Sequence, residues 1–357
     1  MVSHSPDDSL IDRARPALAA VLAVAVGLGP SLLRIGDIGA RTLDLPPAGG
    51  SSLRLRVLTL NMSGLRYPPR MAWVSDQSQC ARRLVSVGAR IRDASPSYDI
   101  VGLQELYSAP DLGMLTCDPR PFLGVLDESD NHQGPWHRRL FQPAGARWRL
   151  EADGGIGLMT RHSIERSESW RFAASGGPLR AARGVLFARL SISGSALKVD
   201  VYVVHLSAGR FQAEQRRREL WEVSRLIGVT SGSSGNPVLI LGDFNIDGAS
   251  HGGPEYGALL ELLGRPRDLW REAGATADGY TYDCRRNKLA AVRRCDYQAR
   301  IDYLLVGTAT TIARRWPAVA LEEGDVRLVE WTTPGPTTLP VSDHYGVEAS
   351  LRFGSER

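Results

Sequence analysis

Val238-Leu239-Ile240-Leu241-Gly242-Asp243-Phe244-Asn245 is a short apolar run that stops at a carboxylate, a ring and an amide. The same pattern recurs along the chain. Val57-Leu58-Thr59-Leu60 ends at Asn61, and Asp99-Ile100-Val101-Gly102-Leu103-Gln104 ends at Glu105. Val201-Tyr202-Val203-Val204 ends at His205, Asp302 opens Tyr303-Leu304-Leu305-Val306, and Ser342-Asp343-His344 leads into a last apolar stretch. Polar and ionisable residues at the ends of short strands are how a sheet scaffold carries side chains to one shared edge. The chain therefore reads as an enzyme.

Working outward, strands are expected over 54–61, 100–104, 155–160, 185–192, 197–205, 238–243, 301–306 and 345–352. The fourth and fifth form an antiparallel hairpin through Ser193-Gly194-Ser195. Asp200 interrupts Val199, Val201 and Val203, as in a strand with one buried face. Gln212 to Ile227 reads as a helix with Leu220, Val223 and Ile227 on one side. Its Arg216-Arg217-Arg218 run is interleaved with Glu214, Glu219 and Glu222, which predicts a solvated, self-paired face rather than a phosphate-binding patch. Tyr107–Arg149 is long and weakly periodic, the character of a loop that shapes access to a site. There is no internal repeat. These strands and helices suggest a single α/β domain over 54–353, preceded by a Pro/Gly-containing linker at 41–53.

Composition is that of an ordinary globular protein of 357 residues, with 43% hydrophobic and 23% charged residues. The net charge of +4 is compatible with a phosphate-bearing substrate but too mild to indicate nucleic-acid binding. Only two lysines occur, Lys198 and Lys288, so the abundance of arginine is read first as compositional bias. Ala17 to Leu33 is 17 residues without a charge, short for a spanning helix and close to a signal-peptide core. Residues 1–40 are accordingly expected to be a signal peptide, or else an uncleaved anchor, which places the protein outside the cell or in its envelope. Cys284 and Cys295 are spaced to close a disulfide. Cys80 falls in phase with Leu84, Val87 and Ile91 on a helix and reads as a buried thiol, with a Cys80–Cys117 bridge as the alternative. No Cys/His spacing resembles a zinc site.

The strand-end residues offer a coherent chemistry. Glu105, Asp343 and Asn61 are oxygen donors suited to a hard divalent cation such as Mg²⁺. Cleavage of a phosphate ester needs charge neutralisation, a positioned water and a proton acceptor. His344 is the natural base, and Asp302 could hold its other ring nitrogen. Asp243 and Asn245 can orient water and phosphate, and His205 can donate to a phosphoryl oxygen. Taken singly, each of these residues is as readily a cap, a turn or a packed strand end.

As an ordered set they resemble the endonuclease/exonuclease/phosphatase superfamily, the DNase I-like fold. The matching segments are Leu58–Asn61, Asp99–Glu105, Gly155–Thr160, Val203–Leu206, Leu241–Asn245, Ile301–Tyr303 and Ser342–His344, in the family's order. The resemblance implies an α/β four-layer sandwich of two packed mixed β-sheets flanked by helices. It implies metal ligands at Glu105, Asn61 and Asp343, for one or two Mg²⁺ ions with Mn²⁺ as a substitute. It also implies catalytic roles for His344, Asp302, Asp243, Asn245 and His205.

Three segments lean toward the sphingomyelinase-like branch: Gly154–Ile164, Arg183–Leu190, and His205-Leu206-Ser207-Ala208-Gly209, the last departing at Ser207. Thr281-Tyr282-Asp283 ahead of Asn287 is similar to an element of the same branch. The function expected is therefore a sphingomyelinase/phospholipase C-like phosphodiesterase, with phospholipid favoured over nucleic acid. A secreted Mg²⁺-dependent endonuclease is the first alternative, and an inositol-phosphate phosphatase the second. Peripheral membrane contact would suit a monomer of this kind, and Trp136, Phe141 and Trp148 are candidate contact residues.

Overall fold

The computed structural model describes residues 53–64, 77–106, 139–141, 149–153, 155–173, 183–249, 253–274, 278–291, 296–307, 318–321, 325–336 and 338–354. The N-terminal apolar segment, Cys117, Cys295, Trp136 and Trp148 lie outside these residues, as do the side chains of Cys80 and Phe141. Among the described residues no helix is long and apolar enough to cross a membrane.

Two mixed sheets form the centre. The first contains β1 (Leu53–Asn61), β2 (Ile100–Leu106), β3 (Arg139–Phe141), β4 (Arg149–Asp153), β5 (Gly155–Thr160), β14 (Ala318–Ala320), β15 (Val326–Val329) and β16 (Gly346–Gly354). Its order is β14-β16-β1-β2-β5-β4-β3, with β15 also on β16. The second contains β6 (Ser163–Arg171), β7 (Gly184–Ser191), β8 (Lys198–His205), β9 (Val238–Asp243), β10 (Arg267–Asp268) and β13 (Asp302–Gly307), in the order β10-β13-β9-β8-β7-β6. A small ribbon pairs β11 (Tyr282–Asp283) with β12 (Gln298–Ala299). The helices are α1 (Gln77–Arg92), α2 (Ala213–Ser231), α3 (Pro254–Leu262), α4 (Leu269–Glu272) and α5 (Lys288–Ala291).

Residue parity explains the layers, because alternate side chains of a strand point to opposite faces. Leu55 and Val57 of β1 pack with Leu239 and Leu241 of β9 and Leu304 and Val306 of β13, so these faces meet between the sheets. Leu58 and Leu60 instead join Leu84, Val87 and Ile91 of α1 on the outside of the first sheet. Tyr202, Val204, Ile240 and Leu305 join Leu220, Val223 and Leu226 of α2, and Leu259 of α3, outside the second. The result is helix, sheet, sheet and helices, the four-layer sandwich expected. Full burial of each such aliphatic side chain is worth about 1.5–3 kcal/mol before ordering costs. The sheets meet closely where Gly102 of β2 accepts Leu241: a Cβ there would lie 1.8 Å from Leu241 Cδ1.

Both parallel pairs, β1–β2 and β8–β9, are joined by connections that contain a helix, as parallel neighbours require. This puts the C-terminal ends of β1, β2, β8 and β9 at one edge of the sandwich. The antiparallel strands β13 and β16 begin at that same edge, since Asp302 pairs with Asp243 and Thr59 with Val347.

Two expectations are corrected. Strand β8 is buried on both faces, not one. Asp200 is tolerated there because Arg189 grips it with bonds of 2.7 and 2.8 Å, and Ser231, Ser234 and Asn236 also donate to it. Arg217 and Arg218 pair with Glu214 on an exposed face as expected, but Arg216 is buried. Its guanidinium binds Glu255 and the carbonyls of Ser207 and Gly209, fixing the loop that leaves His205. In addition, β3 and the start of β4 extend the first sheet into the region read as one long loop.

Candidate active site

Strand register sets three of the expected residues side by side. His205, Asp243 and Asp302 are direct neighbours across β8, β9 and β13. Each shares the parity of the inter-sheet core residues of its own strand, so each continues that face at its edge. Asn61 does the same on β1. Its amide nitrogen donates to Asp243 Oδ2 at 2.9 Å, a bond that crosses from one sheet to the other. The Asn61 amide oxygen accepts the backbone N–H of Ser63 at 2.9 Å. Asp243 Oδ1 accepts the Asn245 N–H at 2.8 Å, and the Asn245 side chain donates to the Leu206 carbonyl at 3.1 Å.

His344 reaches this row from the segment before β16. Its Nδ1 lies 2.8 Å from Asp302 Oδ2, and its Nε2 lies 4.0 Å from Asp343 Oδ1. Ligand-type atoms of Asp243, Asp302 and His344 all fall within 4.8 Å of one another. Burial alone would lower the His344 pKa, but Asp302, Asp243 and Asp343 outweigh it and lift the imidazole to about 10. Burial and the Asp302 charge push the Asp243 carboxyl up to about 7, against the opposing pull of His344 and Asn61. His205 moves the other way: burial, then Arg183, then His344 hold it well below the usual imidazole value. The neighbouring charges thus shift the two histidines at this edge in opposite directions, a recurring means of separating proton-handling from hydrogen-bond donation.

Glu105 stands apart. It is the extra residue of a β-bulge, where the β2–β5 register shifts between Gln104 and Leu106. Its φ of 60° is unusual for a residue with a side chain and costs about 1–3 kcal/mol. Regular alternation would send it with Val101 and Leu103 into the outer core; the bulge releases it from that pattern. Among the described residues its carboxylate has no hydrogen-bond or ion-pair partner, and Glu105 and Asp343 join no group of three closely spaced acidic or histidine ligands. Asp302 Oδ1 is also buried without a partner. Unpaired carboxylate oxygens are the donor type that suits a hard divalent cation.

Three supporting residues received no role from sequence reasoning. Thr281, fully buried, accepts the N–H groups of Ile301 and Asp302 on Oγ1 at 3.0 and 3.1 Å, while its carbonyl accepts that of Tyr345 at 2.7 Å. Asn287, also fully buried, donates to the Ser342 carbonyl at 2.9 Å. The Ser342 hydroxyl in turn donates to the Asn61 carbonyl and accepts the His344 N–H. Arg183 donates to His205 Nδ1 at 3.1 Å. In the sequence the Thr281-to-Asn287 segment stands out only by its resemblance; isolated Thr and Asn residues carry no signal of this kind. Cys284 in the same region is disulfide-bonded, and its partner is not among the residues whose side chains are described.

A model of the Endonuclease/Exonuclease/phosphatase family matches residues 58–344. The chain belongs to this family. By family it is a phosphodiesterase-type hydrolase. Its fold is similar to that of truncated TDP2 from Caenorhabditis elegans, with a TM-score of 0.54 and 18% identity, covering 84% of this chain and 98% of that one. It is equally similar to sphingomyelinase C from Streptomyces griseocarneus, with a TM-score of 0.55 and 21% identity over 84% and 99% of the two chains. Beta toxin from Staphylococcus aureus aligns with a TM-score of 0.57 and 16% identity over 83% and 99%. No curated protein matches the chain.

Proposed function

We propose that this family member is a Mg²⁺-dependent phosphodiesterase of the sphingomyelinase/phospholipase C-like type, acting on a phospholipid through water activated by His344. The observation that carries the hydrolytic reading is the buried His344–Asp302 pair at 2.8 Å, set beside Asp243 at the edge shared by both sheets. Glu105, Asn61 and Asp343 would hold the cation, which when bound neutralises phosphoryl charge and counters the carboxylate field on His344. Asp302 fixes the ring and its proton on Nδ1, leaving Nε2 to exchange a proton with water or the leaving group. Asp243, steered by Asn61 and the Asn245 N–H, orients the water. His205 donates to a phosphoryl oxygen.

The preference for lipid rests on the sphingomyelinase-like segments and on one surface. Trp170, Trp221 and Val229 are exposed around a groove of about 800 Å³ that is also lined by Arg171, Arg217, Arg218 and Arg225 and by Glu168 and Glu222. Arg171 pairs with Gly184, which pairs with His205, so one end of this surface lies level with the active edge. Aromatic rings among charged side chains of both signs, with Arg217 and Arg218 paired to Glu214, suit a zwitterionic lipid headgroup layer. Residues 1–40 would direct the protein to that surface as a signal peptide or anchor. The test offers the purified protein with Mg²⁺ sphingomyelin and phosphatidylcholine liposomes, double-stranded DNA and inositol phosphates. Release of phosphocholine, abolished in His344→Ala and Glu105→Ala, is expected. DNA nicking without phosphocholine release would replace the lipid reading with an endonuclease. Full activity of both variants on every substrate would remove the proposed site.

A further inference from the structure

His205 is 1% exposed, and its two ring nitrogens meet different surroundings. Nδ1 faces Arg183 Nη1 at 3.1 Å. A guanidinium has only donors and keeps its proton at any ordinary pH, so Nδ1 has to be the acceptor. A neutral imidazole has one N–H, which then sits on Nε2. That nitrogen is buried, lies 3.5 Å from Asp243 Oδ2 and has no hydrogen-bond partner at bonding geometry. It is a donor held unused in the row that also contains Asp243 and Asp302. The charged groups facing the ring are Arg183 ahead of β7, Asp243 on β9 and His344 ahead of β16. Protonating Nδ1 would set an imidazolium N–H against a guanidinium N–H, with no acceptor between them.

We propose that Arg183 is a positioning residue that locks His205 in the neutral Nε2–H tautomer, making His205 a permanent donor to the phosphoryl oxygen and excluding it as a second base. The tautomer follows from the geometry alone; the use of the donor rests on the phosphodiesterase reading above. This also divides labour between the two histidines: Nδ1 of His344 donates to a carboxylate, whereas Nδ1 of His205 accepts from a cation. A donor fixed before the reaction costs no reorganisation when charge develops on oxygen. Arg183 opens one of the segments similar to the sphingomyelinase-like branch, yet its role is visible only once β7 lies beside β8.

The experiment uses the full chain labelled with ¹⁵N-histidine and two-bond ¹H–¹⁵N spectra near neutral pH, with His205 identified as the signal lost in His205→Gln. The expected spectrum has a bare Nδ1 and a protonated Nε2. Arg183→Met should give mixed tautomers or a ring that titrates in the neutral range, and Arg183→Lys, which keeps a cationic donor, should restore the wild-type pattern at least in part. With bis(p-nitrophenyl) phosphate and Mg²⁺, Arg183→Met should lower kcat by about tenfold or more, with recovery in Arg183→Lys. A wild-type His205 carrying its proton on Nδ1, or on both nitrogens, overturns the proposal, as does an Arg183→Met spectrum identical to wild type. If the tautomer is as expected but no phosphodiester is cleaved, the phosphodiesterase reading fails and the lock stands.

Discussion

Replacing Thr281 by Val is the most direct probe of how the scaffold holds its acid–imidazole pair. The side chain is fully buried, and its oxygen receives two backbone N–H groups, those of Ile301 and Asp302, at 3.0 and 3.1 Å. Valine has nearly the same shape, so no cavity opens; what changes is that both donors lose their acceptor. Each buried group left unpaired costs about 1–3 kcal/mol, and adjacent groups relax together, so the expected loss is roughly 3 kcal/mol. Thr281→Ser keeps the acceptor and removes one methyl, for about 1 kcal/mol. Urea unfolding of the two variants, extrapolated to water, measures the difference. Turnover adds a second reading. The Asp302 N–H belongs to the residue that holds His344, and a misplacement of about 1 Å at a reacting group can cost about 10²-fold in rate. The expected order is wild type, then Ser, then Val in both stability and kcat. The reasoning fails if Val is within about 0.5 kcal/mol of wild type, or if Ser is as damaged as Val.

Three further outcomes are expected. Asn287→Ala removes the donor to the Ser342 carbonyl and the acceptor for the Leu289 and Ala290 N–H groups, so stability should fall by about 1–3 kcal/mol, with a lower kcat in the same preparation; unchanged unfolding midpoints would count against it. Gly242→Ala should fail to give soluble protein or should melt well below wild type, because φ is 140° and a Cβ would lie 2.0 Å from the Val204 carbonyl oxygen; a wild-type melting curve would refute the strain. In EDTA, the His344 pKa raised from 6.5 to about 10 supplies stability that is fully present below pH 6.5 and lost as pH rises through 10, and the Asp243 carboxyl raised from 3.8 to about 7 makes stability fall with rising pH across that lower window too. Below pH 6.5 the depressed His205 acts in the opposite sense, so the sign is fixed only above it: the Tm of the cation-free protein should decline from about pH 7 to 10, with this limb flattened in His344→Gln. A flat or rising Tm would contradict the field assigned to the carboxylates.

Most of the sandwich was legible because its central strands are short apolar runs with polar ends. Strands 155–160 and 238–243 coincide with the expected bounds, and the others shift by one or two residues at one or both ends. Strand β6 was not expected, since Ser163–Arg171 is an edge strand with few apolar residues and a mostly exposed face. Helix α3 and the short strands β10, β11, β12, β14 and β15 were missed as well; periodicity has little to work on over two to nine residues. At the site, strand-end position placed His205, Asp243 and Asp302 together, but it could not show that Asn61 steers Asp243. Nor could it show that Glu105 escapes its strand's alternation by a bulge. Thr281, Asn287 and Arg183 act through backbone carbonyls, backbone N–H groups and a ring nitrogen. Such partners are defined by three-dimensional approach, and a one-dimensional pattern does not mark them.

The bond from Asn61 to Asp243 has a consequence for how activity is acquired. One partner belongs to the first sheet and the other to the second, and the Ser342 link to Asn61 and the His344 link to Asp302 extend the same seam. The ladder hydrogen bonds of each sheet lie within that sheet, whereas this constellation exists only where the two are docked in a single register. Competence is therefore a property of the junction: a chain with all its strands formed and the sandwich still ajar would be catalytically blank.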